Sequence, residues 1–336
     1  MNDYLHLYAH VEFVKGSQLG ALYDLQGGRV RTVPLILESI LKAFQMAPTQ
    51  QVLKETFAGN ETVFHRYTDF LLKEKWAFTT TKPQVFPAAD LSWESPYAIN
   101  SGIVSHDRLQ PYDLPSALLE LSDVGCRTLE LQLHNYSLKE EDSAVWDQIG
   151  AALRQGEFRR GTLVLGVGQT AMPVVNPAEV DRLLHDWPRF GTVVLLGQEK
   201  DINLKIGKRQ YYLRCANTLM DYAKKTWELR PNVHFVGPAY FRESRVANPY
   251  FNRRLAIDSQ GYFKNDLLYG GQETFGKIGQ RTIKEVIIDP QFQQRWRANP
   301  DVISDTSSNP LRYCLRYDRA IEADAKDPTN WSFSWA

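Results

Sequence analysis

Three cysteines and seven histidines are the residues of this 336-residue chain best suited to metal or nucleophile chemistry, and their spacing organises none of it. Cys126, Cys215 and Cys314 lie far apart with no CxxC pair. A closed zinc site needs four nitrogen or sulfur ligands, and an iron–sulfur cluster needs closely spaced thiolates. Neither can be drawn from these three. Cys126, in the apolar run DVGCRTLELQL, reads as a buried packing cysteine. His6, His10, His65, His106, His134, His185 and His234 form no HxH or HExxH spacing. Gly166-Val167-Gly168-Gln169-Thr170 follows an apolar strand, where a ligand turn is conceivable, but a lone GxG is ordinary turn chemistry. There is no P-loop, GxSxG elbow or kinase-type lysine. The sequence therefore names no catalytic residue, no metal ligand and no cofactor.

Composition is that of a globular chain, with 43% apolar and 23% charged residues. Lys+Arg and Asp+Glu both number 39, so no whole-molecule field attracts nucleic acid or an anionic membrane. No apolar stretch approaches the ~18 residues of a membrane span, and MNDYLHLYAHVEF lacks an apolar signal region. The expected location is cytoplasmic.

The elements that would position a site fall into blocks of different periodicity. Residues 1–82 open with YLHLYAHVEFV at period two, and ALYDLQ and RVRTVP flank the hairpin dipeptide Gly27-Gly28. Three helical patterns follow, LILESILKAF, TQQVLKETF and NETVFHRYTDFLLKEKW. Three strands and three short helices predict a winged-helix fold. Residues 83–96 carry prolines and no periodicity and read as a linker. Over 97–240, apolar strands such as CRTLELQL, GTLVLGV and GTVVLLG alternate with amphipathic helices, which predicts a parallel sheet built as a partial (β/α) barrel or open sheet. QEKDINLKIGKRQYYLR, residues 198–214, reads as a basic, solvated loop within it. Residues 245–336 are hairpin-like, with Asp258 and Gly261 in a tight turn, and close on the aromatics Trp331, Phe333 and Trp335. The fold class is α/β with α+β ends.

Two tail segments, IDSQGYFKND and ETFGKIGQRTIKEVIIDPQFQQRWRANPDVI, resemble the core of a SPASM domain, and TSSNPLRYCLRYDRA resembles its later cysteine-rich run. Upstream, VKGSQLGALYDLQGGRVRTVP is similar to the N-terminal signature of the peptide maturases of grasp-with-spasm systems, with LSDVGCRTLELQL and TDFLLKEKW in the expected order. The resemblance implies a radical-SAM-like barrel, a degenerate SPASM-like tail and work beside an ATP-grasp ligase on a ribosomally made precursor peptide. It also places iron–sulfur cysteines at Tyr250, Asp266, Thr306, Asn309, Leu315 and Asp318, none of which is a cysteine. The CxxxCxxC loop that cleaves S-adenosylmethionine is missing too, since AINSGIVSHD has no cysteine. A pseudo-radical-SAM, pseudo-SPASM protein follows.

For residues 1–82 the resemblance also implies a RiPP recognition element, in which a leader peptide adds as a strand and rests on the third helix. Nine basic and eight acidic residues give this region a net charge of +1, too little for a DNA-binding face. Strand addition needs only an open edge and apolar pockets. The expected edge is Arg29, Val30, Arg31, Thr32 and Val33, with Phe64, Tyr67, Leu71 and Lys75 on the helix, Phe64 and Leu71 reading equally well as core. The expected function is a non-catalytic leader-peptide adaptor with an ATP-grasp ligase as partner and no nucleic acid or membrane. The alternatives are an enzyme using the barrel cleft for non-radical chemistry and, without a basic stripe to support it, a winged-helix regulator.

Overall fold

The computed structural model describes residues 3–136, 143–166, 176–215, 234–269 and 274–334. The N-terminal block holds five strands rather than three. Strands β2 (Val11–Lys15), β3 (Leu19–Asp24) and β4 (Arg29–Pro34) form an antiparallel meander in that order, with Phe13 and Arg31 in register on either side of Leu22. The turn at Tyr8–His10 cuts the first apolar run in two, so β1 (Tyr4–Leu7) leaves the meander and pairs with β5 (Ala77–Thr80). Helices α1 (Ile36–Met46), α2 (Thr49–Thr56) and α3 (Glu61–Lys73) lie between them in sequence. They close one core around Leu22, Val33, Leu37, Phe44, Phe64, Leu71 and Trp76.

Strand β3 is apolar nearly throughout because both of its faces are covered. On the far face Val14, Ala21, Tyr23 and Leu25 pack against Phe241, Tyr313 and Cys314 of the C-terminal region. The Tyr23 hydroxyl donates to the Pro310 carbonyl at 2.8 Å, and the Ser17 N–H donates to that of Ser308 at 2.9 Å.

Among the described residues the central element is an eight-stranded sheet. Its strands are β6 (Ser101–Asp107), β7 (Thr128–His134), β8 (Arg160–Gly166), β9 (Phe190–Leu195), β10 (Ile202–Ile206), β11 (Arg209–Leu213), β12 (Arg254–Ile257) and β13 (Phe263–Lys264). They lie in the order β10-β11-β9-β8-β7-β6-β12-β13. The six inner strands run parallel, and β10 and β13 are antiparallel borders. Among the described residues the borders do not pair, so the sheet stays open. Residues 198–214 correct the expected solvated loop: INLKI and RQYYL form a hairpin about Gly207 (φ 56°), and β11 extends the parallel sheet with Tyr211 fully buried. The charged residues of that segment obscured its alternation. Strand β12 comes from the tail yet pairs with β6, so the sheet crosses the expected boundary near residue 240.

Helices α4 (Leu114–Asp123), α5 (Ser143–Gln155) and α6 (Pro177–Leu183) connect successive parallel strands. Asp113 caps α4 by accepting from the Ser116 N–H, and Asn176 caps α6 by accepting from that of Ala178. Val104, Leu129, Leu131, Leu133, Leu163, Leu165, Val193 and Leu195 turn to the main core shared with α4 and α5. By the period-two rule their neighbours face the other way, and several are polar. In the tail, Asp258 accepts from the Gln260 and Tyr262 N–H groups and Gly261 sits at φ 87°, forming the expected turn. Strands β14 (Ala320–Ala323) and β15 (Trp331–Ser334) pair, with Trp331 buried and Phe333 packed near Tyr317. No described helix is long and apolar enough to cross a membrane.

Candidate functional site

Among the described residues β4 pairs with β3 alone, so the N-terminal sheet ends there in an open strand. Along β4 the side chains alternate. Arg29, Arg31 and Val33 turn toward α3, while Val30 packs into the core shared with the C-terminal region. Arg29 donates twice to Asp24, at 3.0 and 2.8 Å, and its guanidinium lies 4.9 Å from the centre of the Trp76 ring. Burial opposes ionisation of Asp24, but the Gly27 N–H and Arg29 outweigh it and hold the carboxyl below the usual range. Arg31 lies 5.0 Å over the Phe70 ring and 3.7 Å from the Glu74 carboxylate. Two guanidiniums therefore span the space between the strand edge and the end of α3.

The nine expected residues do not share one surface. Arg29, Arg31, Thr32 and Lys75 are exposed, and Val30 and Tyr67 are half-buried. Val33, Phe64 and Leu71 are core residues, with Phe64 edge-to-face against Phe44 and Phe57. Lys75 lies beyond α3, at φ 57°, where the chain turns off the helix. The sequence reading missed Phe70, Glu74 and Trp76, which flank β4; Phe70, one turn on from Tyr67, was the available signal.

A second constellation lies on the sheet face turned away from the main core. Register sets Ile103 beside Glu130 and Thr162, Ser105 beside Gln132 and Val164, and Asp107 beside His134 and Gly166. The Ser105 hydroxyl is 3.2 Å from His134 Nε2. A Cβ on Gly166 would meet His134 Nδ1 at 2.5 Å, so glycine there leaves room for the ring. Asp107 accepts from the Asn135 amide at 2.7 Å. Glu130 accepts from the Gln132 amide at 2.8 Å, and burial raises its pKa despite Arg254 nearby. Burial likewise lowers the pKa of His134. On the core side of the same strands, His106 Nε2 meets the Tyr112 carbonyl at 3.0 Å and Nδ1 meets the Tyr136 hydroxyl at 2.7 Å. A carbonyl only accepts, so Nε2 carries the proton and Nδ1 accepts from Tyr136. His106 is thus a satisfied structural histidine. Of the expected Gly166–Thr170 turn, only Gly166 lies within the described residues.

The cysteines are isolated. Burial pushes the Cys126 thiol up to about 12 and the Cys314 thiol up to about 11, while Cys215 is exposed. Among the described residues no three His, Cys, Asp or Glu side chains converge as metal ligands do.

The positions the resemblance assigns to cluster cysteines are otherwise employed. Arg254 donates to Asp266 at 2.8 Å and stacks on the Tyr250 ring, 3.9 Å from its centre. Asp318 pairs with Arg316. Thr306 donates to the Pro300 carbonyl, Asn309 accepts from the Leu311 N–H, and Leu315 packs against the main core. Carboxylate, phenol, amide, hydroxyl and isobutyl groups do not form the thiolate set that iron–sulfur clusters require. The residues do not fit that group.

No protein-family model matches the chain, and no curated protein does. Among solved structures, that of Streptococcus suis SuiB bound to S-adenosylmethionine aligns with 92% of this chain and 94% of its own, at 8% identity and a TM-score of 0.30. A likeness this slight carries no argument about either site.

Proposed function

We propose that this chain is a peptide-recognition adaptor in the maturation of a ribosomally made peptide, holding the precursor's leader as an added strand on β4 beside an ATP-grasp ligase. The observation that carries the reading is the open edge of β4 with Arg29 and Arg31 laid across Trp76 and Phe70. Main-chain hydrogen bonds along such an edge supply affinity, and alternate side chains resting on the adjoining helix supply selectivity. Because the far face of the N-terminal sheet is packed on the C-terminal region, a bound leader would be held at a fixed place on the molecule. The test is titration with the precursor peptide, together with assay of the ligase with and without the protein. Absence of both binding and any effect on the ligase would sink the proposal.

A second reading, an enzyme working on the sheet face, is favoured by Glu130 and His134. Burial raises the pKa of the first and lowers that of the second, and perturbed titratable groups of this kind mark candidate sites. Its test is turnover of the precursor by this protein alone, with Glu130→Gln and His134→Ala as variants. Turnover unchanged in both variants would remove this reading.

A further inference from the structure

Two side chains, four and twelve residues away in sequence, meet around the Arg254 guanidinium. Tyr250 precedes β12, Arg254 begins it, and Asp266 follows β13. Asp266 is 3% exposed and its carboxylate is bound by the guanidinium at 2.8 Å. The opposite contact is the Tyr250 ring, while Arg254 Nε has no hydrogen-bond partner among the described residues. Glu130, from β7, shares the same field, and Asp318 acts on Tyr250 through space. Burial holds the Tyr250 phenol well above its ordinary pKa, so it stays protonated and is no anionic ligand. A metal entering here would face a fixed positive charge and a carboxylate already engaged.

We propose that the Arg254 guanidinium takes the structural place of a metal cluster, tying β12 to the Asp266 turn and the Tyr250 segment by an ion pair and a stacked ring. On the resemblance, Tyr250 and Asp266 stand where cluster cysteines would, so these ties join the stretches of chain that thiolate–iron bonds would join. Breaking one partner of a buried pair strands the other charge, whereas replacing both with apolar groups is tolerated. The inference does not depend on whether β4 binds peptide.

The test has two arms on the full chain. After anaerobic reconstitution with iron and sulfide and desalting, the wild-type protein is expected to retain no iron and show no sulfide-to-iron charge-transfer absorption. Retention of several irons per chain would overturn the inference. In the second arm, thermal midpoints are measured for Arg254→Met, Asp266→Leu and the double variant. The double variant is expected to lose less than the sum of the two single losses; strictly additive losses, or no loss in either single variant, would count against the inference. If a single variant fails to fold while the double variant folds, that outcome supports the pairing. If none of the three folds, the arm counts against a tolerated apolar replacement, and the iron measurement still stands.

Discussion

The Arg31 guanidinium lies over the Phe70 ring, 5.0 Å from its centre, and so joins the open strand of the N-terminal sheet to the helix beside it. Both groups remain partly accessible, and Arg31 has a loose surface partner in Glu74 at 3.7 Å. If this is the floor of a peptide groove, Arg31→Ala weakens leader binding about tenfold, equivalent to ~1.4 kcal/mol. Exposed pairs contribute little to folding, so the thermal midpoint should hardly move. Titration calorimetry beside a melting curve separates the two; equal leader affinity in both proteins would remove Arg31 from the groove.

Phe64 and Tyr67 sit one turn apart on α3 but differ in kind. Phe64 is 4% exposed and surrounded by Phe44 and Phe57, so Phe64→Ala should cost about 3–5 kcal/mol of folding free energy. Tyr67→Ala should cost markedly less stability and more leader affinity. Chemical denaturation of both variants checks the ranking.

Lys75 adopts a left-handed backbone at φ 57°, which costs a non-glycine residue roughly 1–2 kcal/mol. Its N–H donates to the Leu72 carbonyl and that of Trp76 to Leu71, so the conformation ends α3. Lys75→Gly is expected to raise stability by about 1 kcal/mol. If the lysine contacts the leader, the same variant binds it less well. A stabilised variant with unchanged affinity would show that Lys75 serves the turn alone.

The sheet-face groups predict opposing pH dependences. Burial depresses the pKa of His134 below 6.5, so the folded state binds fewer protons, and the associated stability is present above pH 6.5 and lost as pH falls through the depressed value. Burial raises Glu130 above 4.5, so its contribution is full below pH 4.5 and declines as pH rises through the folded value. Relative to wild type, His134→Gln should flatten the acid loss and Glu130→Gln the loss on rising pH. Denaturation midpoints across the pH range provide the check; parallel curves for wild type and both variants would contradict these assignments.

The parallel strands and their helices were legible because GTLVLGV and GTVVLLG are nearly continuous apolar runs and CRTLELQL alternates leucine with polar residues, as a strand with one face on the core does. Asp258 and Gly261 were equally legible, since their turn is local chemistry. Residues 202–213 were not, because Lys205, Lys208 and Arg209 masked a hairpin whose buried Tyr211 shows only in tertiary context. Nor could sequence show that β12 joins β6, a pairing across some 150 residues. At the groove, period and position located β4 and α3 but could not tell which side of α3 is core. Phe64 and Leu71 therefore read equally as groove and as core, while Phe70 and Trp76 went unnoticed. The meeting of Arg254, Tyr250 and Asp266 was hidden for the same reason.

The most direct measurement is backbone hydrogen exchange on the full chain with and without the precursor's leader peptide. Strand addition predicts that leader slows exchange of amides in Arg29–Val33 and leaves the central sheet unchanged. Binding that protects β6–β9 while β4 exchanges as before, or no change anywhere at saturating peptide, would contradict the account.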